Sequence, residues 1–206
     1  MTEPTMRSVD QILDGADAFF QGTDALHRTV SRVSERLDSE GIDYALVGGL
    51  ALNLHGYVRM TSDINLLMTP ASLERFHERL VGRGYVPLFA GARKSFRDTE
   101  TNIILEILST GDFPGDGKHK AVRFGDPAEV SESKGDLRVI RLDKLIEIKL
   151  ASGLSASHRL RDLADVQDLI SILNLPAGFA DKLDPSVSEE YSRLWNAVNN
   201  ARDQSE

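Results

Sequence analysis

The chain has 206 residues, no cysteine and a formal net charge of −8 at pH 7. A chain of this length can bury a hydrophobic core without disulfides, and without thiolates any bound metal must use oxygen or imidazole ligands. The acidic balance argues against a general electrostatic nucleic-acid binder, because such proteins neutralise phosphates with clustered lysines and arginines.

The sequence shows no targeting or membrane signal. Residues 1–20 have no basic segment followed by a long apolar run, and no window approaches the ~18 apolar residues of a membrane span. We therefore expect a cytoplasmic protein with no membrane partner. Cations recur from Lys118 to Arg161, but interleaved acidic residues favour a solvated mixed-charge surface over a basic patch.

The first third of the chain predicts helices and strands in alternation. From Asp24 to Ser39, apolar residues recur at helical spacing, and Gly41 suits the C-terminal cap of that helix. Residues 44–47 and 63–68 are short apolar runs typical of strands. Residues 50–57, between them, have the length of a short helix.

The middle of the chain predicts the rest of a mixed sheet. Thr69 and Pro70 have the pattern of an N-cap and a first helical turn, and Gly82 and Gly84 end that helix. The glycine-rich stretch of residues 111–117 predicts a loop. Further strands are predicted at residues 85–89, 94–97, 102–108 and 137–140, the second and third of them joined as a hairpin.

Helical periodicity dominates from Leu142 onward. It predicts helices over residues 142–150 and 160–173, the latter ended by Leu175-Pro176, and a last helix over about residues 186–201. We therefore predict an α+β protein with a mixed β-sheet flanked by helices. Its α/β core covers residues 1–141, and a C-terminal helical region of residues 142–206 packs on that core.

Two glycines follow the first predicted strand. Gly48 and Gly49 join it to a helix, and such a turn can present backbone N–H groups and a helix N-terminus to a phosphate. Paired glycines after a strand are more often only a tight turn, so this pattern alone does not establish a phosphate site.

Polar side chains on two predicted strands indicate an oxygen-lined site. Residues two apart in a strand point to the same side, so Asp63 and Asn65 project together near the glycine turn. Glu106 is a lone carboxylate in an apolar strand, where Leu105 and Ile107 face the other side. A charged group in such a run needs a partner, a metal or water.

These residues resemble the nucleotidyltransferase superfamily, with its polymerase-β type of fold. The resemblance is greatest to the branch of AbiEii-type toxins and similar small bacterial proteins, and it covers about residues 44–173. It rests on the glycine pair, on Asp63-Ile64-Asn65 at the family's Asp-x-Asp position, and on Glu106 as the later carboxylate. The segments 145–151 and 159–166 resemble the helical Lys and Arg/Asp motifs of that branch.

The resemblance implies a reaction and a cofactor. A nucleoside monophosphate would pass from a nucleoside triphosphate to a hydroxyl on RNA, protein or a small molecule, and pyrophosphate would leave. Mg²⁺ would be held by Asp63 and Glu106 with Asn65 as a neutral ligand. Gly48 and Gly49 would lie against the phosphates.

The resemblance also implies nucleotide contacts outside the acidic residues. With Asp63 and Glu106, Lys149 is expected among the catalytic residues: it corresponds to the lysine near the nucleotide phosphates and would offset their charge. Asp162 or Asp165 corresponds to the acidic residue that orients this lysine or closes the site. Arg59 and Ser62 are expected among the nucleotide-binding residues. Such a spacing of cations and aspartates on helices also forms surface ion pairs, which is the alternative for Lys149 and Arg59.

Two departures from the family pattern leave the activity open. Asn65 stands where the family has a carboxylate, and Glu106 is one methylene longer than the usual aspartate. Because Mg²⁺ is usually held by carboxylates, the sequence fits a one-metal enzyme or a degenerate module that binds nucleotide or protein. The module could be one half of a toxin–antitoxin pair. The apolar stripes of the last helices also fit self-association.

Overall fold

The computed structural model describes residues 24–203, with side chains up to Ala201. The expected absence of a signal segment concerns residues 1–20, and the end of the predicted charged tail is residues 204–206. Both lie outside the described residues. Within the described part, no helix combines the length and apolar character needed to cross a membrane.

A seven-stranded mixed sheet forms the centre of the fold. In chain order its strands are β1 (Ala45–Val47), β2 (Asp63–Met68), β3 (Tyr85–Pro87), β4 (Ser95–Asp98), β5 (Ile104–Ser109), β6 (Ser131–Lys134) and β7 (Leu137–Ile140). Across the sheet the order is β3-β4-β5-β2-β1-β7-β6. Strand β2 is central, because it pairs antiparallel with β1 and parallel with β5.

Helices precede, interrupt and follow the sheet. They are α1 (Ala25–Ser39), α2 (Gly48–Leu54), α3 (Pro70–Arg79), α4 (Pro127–Val130), α5 (Leu142–Ser155), α6 (Leu160–Leu173) and α7 (Pro185–Asp203), with 3-10 turns at Ser157–Arg159 and Ala177–Lys182. The predicted α+β class, with a mixed sheet, flanking helices and C-terminal helices, is confirmed. The division into residues 1–141 and 142–206 stays a prediction.

Local sequence signals account for the start and end of several helices. The side chains of Asp24 and Thr69 cap α1 and α3 by accepting backbone N–H groups of the first turn. Pro70 is the first residue of α3, and Gly41, just beyond α1, has a φ of 63°. Helix α6 ends at Leu173 because Asn174 adopts the left-handed conformation, with a φ of 49°, ahead of the predicted stop at Leu175-Pro176.

The acidic and amide side chains of β2 and β5 share one face of the sheet, beside the apolar Ile104 and Leu108 of β5. In β5, Glu106 is exposed between buried Leu105 and Ile107. In β2, Asp63 and Asn65 are half-buried. The polar face of β2 and β5 is the face on which the candidate site lies.

The structure differs from the sequence prediction at α2, α4 and β6. Helix α2 begins at Gly48 rather than residue 50, because the positive φ of Gly48 turns the chain directly from β1 into the helix. The short helix α4 and strand β6 were not predicted, and the β6 residues Ser131–Lys134 are all polar or charged and lack alternation. Strand β6 is an edge strand, held by its antiparallel pairing with β7.

Candidate functional site

A pocket of about 500 Å³ opens on the polar face of β2 and β5. Its walls come from the β1–α2 turn, the segment before β2, the two strands, one face of α5 and the start of α6. The pocket is lined by all the predicted nucleotide and metal residues except Asp165, the alternative to Asp162: Gly48, Gly49, Arg59, Ser62, Asp63, Asn65, Glu106, Lys149 and Asp162. The fold therefore brings together residues from distant parts of the chain.

The glycine pair allows β2 to approach the β1–α2 turn closely. Gly48 has a φ of 65°, and a Cβ at this position would lie 3.1 Å from Asn65 Nδ2. A Cβ on Gly49 would lie 2.7 Å from Thr61 Oγ1. Helix α2 has only 7 residues, so any phosphate contact here depends on the backbone N–H groups of the turn rather than on a long helix dipole.

Asp63 and Asn65 form one hydrogen-bonded unit, and Glu106 lies beside it. Asn65 Nδ2 donates to Asp63 Oδ2 at 2.7 Å, and Thr61 Oγ1 donates to Asp63 Oδ1 at 2.9 Å. Asn65 is the register partner of Glu106 in the parallel pairing of β2 with β5. Because paired residues of neighbouring strands point to the same side, all three side chains face one pocket.

Asp63, Asn65 and Glu106 form the acidic wall of the pocket, and this acidic wall has the donor chemistry for one Mg²⁺ ion. Among residues 24–201, whose side chains are described, no Lys, Arg or His forms an ion pair with Asp63 or Glu106. Carboxylate and amide oxygens are ligands that Mg²⁺ accepts. Among the described residues, no group of three or more His, Cys, Asp or Glu side chains is placed to hold a metal. Two carboxylates and the amide of Asn65 fit a single ion rather than a two-metal centre.

Lys149, on α5, is buried and already paired with α6. Its side chain is 7% exposed, and Nζ lies 3.0 Å from Asp162 Oδ1 and 2.6 Å from Asp165 Oδ2. Ser152 Oγ donates to the second oxygen of Asp162 at 2.6 Å. The ion pair that was the alternative for Lys149 is therefore present, but it is buried rather than on the surface.

Arg59 is tied to the same network. Its Nε lies 3.2 Å from Asp165 Oδ1, and Nη2 donates to Asp165 Oδ2 at 3.3 Å. The Nε contact is an ion pair without hydrogen-bond alignment, since this buried Nε has no hydrogen-bond partner. Nearby, Tyr57 Oη donates to Asp168 Oδ2 at 2.6 Å. These contacts anchor the segment before β2 on α6.

The pocket also contains residues that were not predicted as functional. A Cβ on Gly115 would lie 3.0 Å from the backbone of Ser152, so the 111–117 loop packs directly on the last turn of α5. The Arg-Leu-Arg run at the start of α6 was visible in the sequence, but only the fold shows that it shares a pocket with Asp63. The additional lining residues include Phe113, Pro114, Gly115, Arg159 and Arg161.

Comparison with known proteins gives weak structural similarity only. No family model matches the chain, and no curated protein sequence matches it. A candidate nucleotidyltransferase from Thermotoga maritima matches with 17% identity and a TM-score of 0.45, covering 71% of this chain and 91% of that chain. A candidate nucleotidyltransferase from H. pylori matches with 14% identity and a TM-score of 0.40, covering 84% of this chain and 96% of that chain.

A third solved structure, ANT(2")-Ia in complex with adenylyl-2"-tobramycin, matches with 11% identity and a TM-score of 0.42. The match covers 81% of this chain and 92% of that chain. Identities and TM-scores this low establish neither a family nor an activity for the present chain.

Proposed function

We propose that this chain is a nucleotidyltransferase that moves a nucleoside monophosphate from a nucleoside triphosphate to a hydroxyl acceptor, with Mg²⁺ as cofactor. The proposal rests on a single pocket that joins the turn at Gly48 and Gly49, the carboxylates of Asp63 and Glu106, and the basic start of α6. A metal-bound triphosphate needs close backbone approach, oxygen ligands for the cation and positive charge for the phosphates.

Asp63 has the most constrained orientation in the acidic wall. Thr61 and Asn65 each donate to one of its carboxylate oxygens, and each oxygen keeps a further lone pair for another contact. Mg²⁺ would be held by Asp63, Glu106 and Asn65. Its positive charge would offset the negative charge of the phosphates. The hydrogen bonds from Thr61 and Asn65 keep Asp63 ready for this contact.

In the proposed reaction, the acceptor hydroxyl oxygen forms a bond to the α-phosphorus. The bond between that phosphorus and the pyrophosphate oxygen breaks, and the hydroxyl loses its proton. Glu106 is exposed and has no ion-pair partner among residues 24–201, whereas both oxygens of Asp63 accept hydrogen bonds. Glu106 is therefore the carboxylate better placed to accept the proton.

Transfer of label tests this function even while the acceptor is unidentified. The full chain is incubated with Mg²⁺ and with ATP, GTP, CTP or UTP labelled at the α-phosphate, and with bulk RNA, total protein or a small-molecule extract. We expect label in an acceptor pool, and a loss of roughly 100-fold on Asp63→Ala. Asp136→Ala removes an exposed carboxylate outside the pocket and should transfer like the wild type. Equal transfer by Asp63→Ala would contradict the proposal.

A second candidate function is a module that binds nucleotide or a protein partner without turnover. Asn65 favours it, because its amide donates to Asp63 where a second carboxylate would otherwise serve as a metal ligand. In that case Asp63→Ala should leave partner binding intact, and no acceptor pool should be labelled. The AbiEii-like branch and a toxin–antitoxin partner rest on the sequence motifs alone.

A further inference from the structure

The basic side chains of the pocket are in two different electrostatic states. Lys149 and Arg59 are paired with Asp162 and Asp165, so these four side chains together carry no net charge. The side chains of Lys149 and Asp165 are 7% and 3% exposed. Withdrawing the ammonium group toward a ligand would leave a buried carboxylate short of its partner, which is costly. Lys149 is therefore poorly placed to bind a phosphate.

Arg159 and Arg161 differ from Lys149 in both exposure and pairing. Both arginines are exposed and line the pocket. Arg161 has no carboxylate partner among the described residues, and Arg159 Nη1 lies 3.8 Å from Asp162 Oδ2, beyond hydrogen-bond distance. The bond from Arg159 to Ser152 Oγ is long, at 3.5 Å. Their guanidinium donors are therefore available to a ligand.

We infer that Arg159 and Arg161 form the anion-binding subsite of the pocket and take the polyphosphate of the substrate. A guanidinium group presents a planar fork of donors that matches phosphate oxygens, and it stays charged at all working pH values. The inference rests on the proposed function for the identity of the nucleotide, but the subsite itself requires no turnover.

Lys149 then acts as a positioning residue. Its contacts with Asp162 and Asp165 join α5 to the first turns of α6, the helix that begins beside Arg159. The pairing holds the start of α6, and with it both arginines, against the pocket. The lysine predicted to offset phosphate charge thus serves the binding site without contacting the phosphates.

Inorganic tripolyphosphate tests the subsite directly, because it carries the anionic groups without a base, a sugar or a transferable nucleotide. Calorimetric titration of the full chain, with metal chelated and at low salt, should show binding that weakens as salt is raised. Arg161→Gln and Arg159→Gln should each weaken it by about tenfold, since each removes a charge-assisted contact. Arg79→Gln removes an arginine that is 57% exposed on α3, outside the pocket, and should stay within about twofold of the wild type.

Lys149→Gln separates positioning from binding, because glutamine still donates to the aspartates of α6. It should keep tripolyphosphate affinity within about threefold of the wild type while lowering the midpoint of thermal unfolding. The inference is overturned if the wild type does not bind tripolyphosphate or if both arginine variants bind like the wild type. It also fails if folded Lys149→Gln loses binding as strongly as Arg161→Gln.

The arginine variants decide the outcome if Lys149→Gln does not fold. Since the probe cannot be turned over, its result is independent of label transfer. Tripolyphosphate binding that depends on both arginines, without label transfer, supports the subsite and removes the proposed function. Label transfer by a protein that does not bind tripolyphosphate supports the proposed function and overturns the subsite.

Discussion

The side-chain amide of Asn65 donates a hydrogen bond of 2.7 Å to Asp63 Oδ2, beside Glu106 on the neighbouring strand. This bond orients the carboxylate of Asp63 without adding a charge. An ionised aspartate in place of Asn65 would lose the donor and put a like charge next to Asp63, which disfavours the ionised pair unless a cation is present. Asparagine at this position therefore favours the orientation of Asp63, whereas aspartate would favour affinity for a cation.

Asn65→Asp should make stability depend on magnesium. Without metal, the loss of the hydrogen bond and the added repulsion should lower the free energy of unfolding by about 1–3 kcal/mol. Mg²⁺ should recover more stability in the variant than in the wild type, because it binds the folded state. Urea unfolding with and without Mg²⁺ measures both effects. Asn196→Asp, at an exposed position of α7, is the matched control and should show neither.

If Asn65→Asp behaves like Asn196→Asp in both conditions, the acidic wall is not a cation site. A separate outcome concerns activity. If Asn65→Asp transfers label and the wild type does not, the degenerate-module account becomes the better description of the natural protein.

Gly49→Ala should disturb Asp63 through Thr61. The added methyl group would lie 2.7 Å from Thr61 Oγ1, the atom that donates to Asp63 Oδ1, so Thr61 must move. We expect label transfer to fall by about tenfold or more while the chain stays folded. Gly178→Ala, where the added Cβ would be 3.9 Å from Asp181, is the control and should keep full transfer. Unchanged transfer by Gly49→Ala would show that the Thr61 contact does not orient a reacting group.

Sequence patterns predicted most of the features that place the site. The apolar neighbours of Glu106 in β5 indicated its direction, apolar spacing indicated the first helix, and Thr69-Pro70 indicated the start of α3. Of the caps at Asp24 and Thr69, only the one at Thr69 was predicted. The predicted features depend on residues close together in the chain, so a sequence pattern indicates them. Strand β6 was not predicted, because its residues are polar and do not alternate with apolar ones. Its pairing with β7 makes it a strand.

The register and the burial state of the site could not be predicted in the same way. That Asn65 pairs with Glu106 depends on the order and register of distant strands. The burial of Lys149 between Asp162 and Asp165 depends on how α5 packs on α6. A lysine and two aspartates at helical spacing look the same in sequence whether they end on a surface or in a buried network.

Lys149→Met should strongly destabilise the fold. It removes the cation from two carboxylates of α6, and breaking a buried ion pair from one side costs about 3–5 kcal/mol. Lys94→Met breaks an exposed pair with Asp112, whose side chains are 46% and 55% exposed, and should cost less than about 1 kcal/mol. Urea unfolding compares the two, and equal small losses would contradict the buried network.

Alkaline pH should destabilise the protein through its tyrosines. Burial raises the pKa of Tyr57 from 10.0 to about 12, aided by the hydrogen bond to Asp168, and burial also raises that of Tyr191 to about 12. The folded state keeps phenol protons that the unfolded chain loses, so this stability is complete below pH 10 and is lost as pH rises toward 12. Urea unfolding against pH should show this fall, with a shallower slope for Tyr57→Phe. The same slope in both proteins would contradict the raised pKa of Tyr57.

The most direct test of a metal-dependent nucleotide site is a calorimetric titration with ATP, GTP, CTP and UTP, with and without Mg²⁺. It compares the wild type with Asp63→Ala. The account predicts that at least one nucleotide binds the wild type in a Mg²⁺-dependent way and that Asp63→Ala loses this binding while remaining folded. No binding of any nucleotide to the wild type, or equal binding to the variant, would contradict it.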